Sequence, residues 1–87
     1  MPKDYRYSHV NSIWRSGDLR SFSQIFTIIP MYIVSADCGM NYALFARKVK
    51  SLGLFKLQEL ITISELTGIP SRSLVLLVAD DMKEKGK

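Results

Sequence analysis

Apolar positions recur at helical spacing in five stretches of the chain, and no stretch alternates as a half-buried strand would. Phe22, Ile25, Phe26 and Ile29 fall at i, i+3, i+4 and i+7, and Ser21 with Gln24 three residues on is a capping-box pairing, so a first helix starts there. Pro30 cannot continue that helix but suits the first turn of another, so the chain bends near Ile29 and restarts. The apolar run TIIPMYIV is tempting as a strand, but its proline argues against a central one. A second helix is predicted over 31–38 and ends at Gly39, where a left-handed glycine followed by apolar Met40 turns the chain and buries a residue in the corner. Asn41 caps a third helix over 41–49. The pattern of the two rests on Val34, small Ser35, Cys38 and Phe45. Phe45 is expected to point inward, with Tyr42, Ala43, Ala46, Arg47 and Lys48 facing outward.

Residues 50–55 read as a linker turned at Gly53, with Leu52, Leu54 and Phe55 sealing the base of the core. A fourth helix over 56–67 places Leu57, Leu60, Ile61 and Ser64 on one face and stops at Gly68. Ser71 caps a fifth over 71–82, in which Leu74, Leu77 and Val78 face one way and Val75 and Leu76 make a second apolar surface. Residues 83–87 form a tail expected to fray. Residues 1–17 are polar and aromatic with weak periodicity. They read as a poorly defined arm, with a short extended piece around Tyr5, Tyr7 and 8–13. Two roles for the arm stay open. Lys3, Arg6 and Arg15 lie along nucleic-acid phosphates with Tyr5 or Tyr7 stacking, or Ile13 and Trp14 cover the core.

The expected architecture is thus all-α, with an arm at 1–17, one domain at 18–82 and the tail. Eighty-seven residues suffice for one modest core, and a 47% hydrophobic share indicates a folded chain. No apolar run approaches the roughly eighteen residues of a membrane span, and no secretory leader pattern opens the chain, so no membrane is expected and the location is read as cytoplasmic. The single cysteine, Cys38, agrees with a reducing compartment and reads as a core thiol. The net charge of +4 is unevenly spread. Residues 1–50 hold seven cations against three carboxylates, whereas 51–87 hold five of each, so the excess lies where a polyanion would be met.

The order Val34, Ser35, Cys38-Gly39-Met40, Phe45, followed by LQELITISELTGIP and then Leu74, resembles the lambda-repressor/Cro-type, or XRE-like, helix-turn-helix domain over about 21–82. Ser35 stands where alanine is usual in that family and Lys48 where an apolar residue is more common. The glutamine often found near the start of the second helix is replaced by Met31 or Tyr32. The resemblance implies a five-helix lambda-repressor-like fold and sequence-specific binding of double-stranded DNA, usually by a homodimer, in transcriptional regulation. The third helix would enter the major groove. Candidate base contacts are Asn41, Tyr42, Ala43, Leu44 and Arg47, and candidate phosphate contacts are Tyr32, Lys48 and Lys50. Val75 and Leu76 of the last helix are the expected homodimer surface.

The competing reading keeps the helices but gives the 42–44 surface and Val75–Leu76 to a protein partner, with no DNA bound. An enzyme is not expected. No nucleophile–base set, metal-ligand spacing or phosphate loop is visible, no cofactor is implied, and His9 lacks ligand partners at the right spacing.

Overall fold

Helices follow one another with little irregular chain between them in the computed structural model, which describes residues 4–85. In order they are α1 (Arg6–Arg15), α2 (Ile25–Ile28), α3 (Met31–Asp37), α4 (Tyr42–Lys50), a 3-10 turn (Leu52–Leu54), α5 (Leu57–Thr67) and α6 (Ser71–Lys85). The described residues contain no strand, so the protein is all-α.

The expected arm is a helix. Tyr7, Val10 and Trp14 recur at i, i+3 and i+7; Tyr7 and Val10 are buried, and Ile13 and Trp14 pack against the same core. The stripe is only one residue wide and is interrupted by Ser, His and Asn, which is why its period is faint in the sequence. Asp4 opens the helix by accepting the Arg6 N–H on its carboxylate (2.9 Å) and the Tyr7 N–H on its carbonyl (3.1 Å). An extended piece around Tyr5, Tyr7 and 8–13 is therefore corrected, and Tyr7 is not free to stack on a base. Lys3 lies outside the described residues.

The helix expected from Ser21 shrinks to the four residues of α2. The Ser21 hydroxyl does accept the Gln24 N–H (3.2 Å), but the Gln24 side chain caps the Arg20 N–H (2.8 Å), one residue earlier than a capping box requires. The amides of Phe22 and Ser23 donate instead to Asp81 Oδ2 of α6, at 3.0 and 3.3 Å. Asp81 is itself buried, so these bonds satisfy groups that have little access to water.

The Phe22, Ile25 and Ile29 stripe is fully buried and Phe26 partly so. All four phenylalanines of the chain close a ring of edge-to-face contacts. Phe22–Phe26, Phe26–Phe45, Phe45–Phe55 and Phe55–Phe22 have centroids 5.4–5.7 Å apart and interplanar angles of 77–81°. Each such contact adds about 0.5–1.5 kcal/mol beyond area burial. Together they fasten α2 and α4 to the segment after the 3-10 turn.

α5 buries Leu60, Ile63, Ser64 and Thr67. Its inner face is thus rotated from the expected one, leaving Leu57 64% exposed and Ile61 partly so. Gly68 (φ +76°) ends α5, and the chain turns through 117° into α6. Leu74 and Val78 are buried as expected, while Leu77 is only partly covered. α6 runs to Lys85, beyond the end expected at about Met82; residues 86–87 lie outside the described residues. No single described helix is long and apolar enough to cross a membrane.

Candidate nucleic-acid interface

Helices α3 and α4 meet through a turn that is encoded by the residues forming it. Gly39 adopts φ +69°, its N–H donates to Ala36 O (3.0 Å), and Met40 N–H reaches back to Ser35 O (2.8 Å). This is a Schellman closure, and Met40 packs against the core beyond it. Asn41 then caps α4 by accepting the Leu44 N–H on Oδ1 at 3.2 Å. Val34 and Ser35 are buried on the inner side of α3, where the Ser35 hydroxyl donates to Tyr32 O (3.0 Å) and so costs little despite standing in place of alanine.

α1 braces the end of α3. The Tyr7 hydroxyl donates to Asp37 Oδ2 at 2.7 Å. Burial, then this bond, pushes its pKa well above the usual tyrosine value. Beside it the Cys38 thiol is half-buried and pushed up to about 11, first by burial and then by the charges of Asp37 and Glu59. A thiol held protonated in this way behaves as a packing residue.

Across α4 the division of faces is sharp. Phe45 is fully buried, while Asn41, Tyr42, Ala43, Leu44, Arg47 and Lys50 are exposed. Ala43, Arg47 and Lys50 lie one above another at i, i+4 and i+7. Arg47 and Lys50 sit in the last turn, where the helix dipole favours cations. Tyr32 on α3 is also exposed, at 62%. Ala46, expected to face outward, is partly covered.

Lys48 does not face outward. It is buried, and Nζ donates to both oxygens of Glu59 on α5 at 2.8 Å. Glu59 Oε1 also accepts the Lys56 N–H (2.8 Å), so one carboxylate caps α5 and holds the last turn of α4. Burial works to raise the Glu59 pKa, but the bonds from Lys48 and Lys56 and their charges outweigh it and hold the carboxyl below its ordinary range. Lys48 thus occupies the apolar position of the helix, with α5 supplying the counter-charge. Its expected phosphate role is corrected, because its ammonium is already committed inside the fold.

At the N-terminus, Arg6 is paired with Asp4 through two bonds of 2.9 Å and lies over the Tyr5 ring, 5.6 Å from its centroid. The Arg6 hydrogen bonds hold the Asp4 carboxyl down at about 2. Arg6 therefore brings little uncompensated charge, whereas Arg15 and Tyr5 are exposed. No group of three or more His, Cys, Asp or Glu side chains converges among the described residues. Compared with protein-family models, curated proteins and solved structures, the chain matches none.

Proposed function

We propose that the protein is a small DNA-binding regulator of the lambda-repressor-like helix-turn-helix type, which docks α4 in the major groove of double-stranded DNA. The observation that carries this reading is the two-faced character of α4, buried through Phe45 and Lys48 and open along Ala43, Arg47 and Lys50. Arg47 would fork onto guanine or hold a phosphate. Ala43 and Leu44 would meet thymine methyl groups, and Tyr42 the groove wall. Asn41 keeps its amide NH2 for a base edge while Oδ1 caps the helix. Tyr32 and Lys50 would set the position on phosphates.

A second reading is favoured by the make-up of the same face. Tyr42, Ala43 and Leu44 are apolar or aromatic and exposed, and the charge of Lys48 is cancelled by Glu59, which suits a protein partner as well as a polyanion.

Fluorescence anisotropy with a mixed-sequence duplex at two salt concentrations separates the two. Binding should weaken with salt, and Arg47→Ala/Lys50→Ala should lower the log–log salt slope by about 2, roughly one for each phosphate no longer neutralised. A wild-type chain that binds no duplex at low salt would give the α4 face to a protein partner.

A further inference from the structure

A polar groove of about 570 Å³ lies between α1 and the end of α5, within the size range of small-molecule sites. It shares no residue with the outer face of α4. Ser8, Asn11, Ser12 and Arg15 follow one another along its α1 wall at i, i+3, i+4 and i+7, so their side chains form one row. Ser8, Ser12 and Arg15 are exposed, and Asn11 is partly covered. Across from the row is the end of α5 at Thr67 and Gly68, where backbone carbonyls lack intrahelical donors. Gly68 sets the width there. A Cβ at that position would stand 3.0 Å from Asn11 Nδ2, so a side chain would push the amide out of the row.

The fold makes no use of this row. None of its four side chains has a hydrogen-bond or ion-pair partner among the described residues, whereas the hydroxyls of Ser16, Ser35 and Ser64 all donate to backbone carbonyls. The two ends of the groove also differ in charge. Asp4 is neutralised by Arg6 beside Tyr5, whose ring is 78% exposed. Arg15, at the far end, keeps its charge uncompensated among the described residues.

We propose that the groove binds a sugar phosphate, with the sugar over Ser8, Asn11 and Ser12 and the phosphate on Arg15. A ring of hydroxyls needs donors and acceptors together, and two serine hydroxyls flanking a carboxamide supply both. The carbonyls at the end of α5 add acceptors from the other side. Ser8 and Arg15 are about 10 Å apart along the helix axis, the reach of a hexose with a phosphate on its terminal carbon. A guanidinium can fork onto two phosphate oxygens. Tyr5, one turn before Ser8, offers a flat apolar surface to the C–H face of the sugar. A free sugar forgoes the charge and inorganic phosphate forgoes the row, so each should bind more weakly than the two joined. The site is independent of whether α4 binds DNA.

Amide chemical shifts of the full labelled chain test it, in titrations with glucose 6-phosphate, ribose 5-phosphate, glucose and sodium phosphate at matched ionic strength. A sugar phosphate should shift Ser8, Asn11, Ser12, Arg15 and Gly68 with a dissociation constant on the order of a millimolar, as suits an open groove. Glucose and phosphate should each bind at least about tenfold more weakly. Arg15→Gln should weaken the sugar phosphate about tenfold with circular dichroism unchanged, and Arg15→Lys should fall between, because it keeps the charge but not the fork. Ser8→Ala/Ser12→Ala should weaken the sugar phosphate and leave phosphate alone unaffected. The proposal is overturned if neither sugar phosphate shifts these residues at about ten times the expected dissociation constant. It is equally overturned if phosphate alone binds as tightly as either sugar phosphate, or if Arg15→Gln binds them as well as wild type.

Discussion

Helix α4 is opened by a cap three residues from the amide it serves, whereas the turn leading into α2 is held by a carboxylate 59 residues away. Asn41 and Gly39 act within their own turn, so the α3–α4 corner carries its geometry with it. α2 has only four helical residues, and although Ser21 caps its Gln24 amide locally, the Phe22 and Ser23 amides of the turn leading into it depend on Asp81 of α6. A surface that must present side chains at fixed positions is better built on the first kind of element. The inner end of α4 is the exception, since its last turn is tied to α5 through Lys48 and Glu59.

That tie should give the largest effect when cut. Lys48→Met leaves the Glu59 carboxylate, 20% exposed, without its ammonium and should cost about 3 kcal/mol in urea unfolding. Lys48→Met/Glu59→Gln should recover part of the loss, because glutamine can still accept the Lys56 N–H. The pair also predicts a pH dependence. Its stabilisation is complete above the unfolded carboxylate value of about 4.3 and fades as pH falls through the lowered folded value. The acid-side slope should therefore be shallower in Lys48→Met.

Asp81→Ala should cost about 2 kcal/mol by leaving two amides unsatisfied, with faster amide exchange over 22–28 and little change in α4. Asp81→Asn keeps an acceptor and should cost less. The smallest effect belongs to the local signal. Asn41→Ala should lose about 1 kcal/mol and Asn41→Asp almost none, since either oxygen caps the helix. If Asn41→Ala proved more damaging than Asp81→Ala, the contrast between locally and remotely held helices would be wrong.

The same contrast marks what can be read in the sequence. Pro30, Gly39, Asn41 and Gly68 each act on a neighbouring backbone group, and the boundaries they imply are found within a residue or two. α1 is faint there because its inward stripe of Tyr7, Val10 and Trp14 is thin and is covered by α2 and α5, which no local pattern announces. Asp81 looks like one more solvated acid until the chain folds it against Phe22. Of the candidate site, Tyr32, Asn41, Tyr42, Ala43, Leu44, Arg47 and Lys50 are exposed as expected, and helical phase from Phe45 suffices to place Ala43, Leu44, Arg47 and Lys50. Lys48 departs from the expectation because its charge suggests solvent while its phase does not. At three residues from Phe45 it shares the buried side, and an inward lysine there requires the carboxylate that Glu59 supplies.

The most direct measurement is a titration of isotopically labelled chain with duplex DNA, followed by amide chemical-shift changes at low salt. Shifts concentrated at Tyr32, 41–44, Arg47 and Lys50, with Lys48 and Glu59 still paired and Leu57 and Leu76 unaffected, are the expected result. Shifts centred on α5 and α6 instead, or none at all, would contradict docking through the outer face of α4.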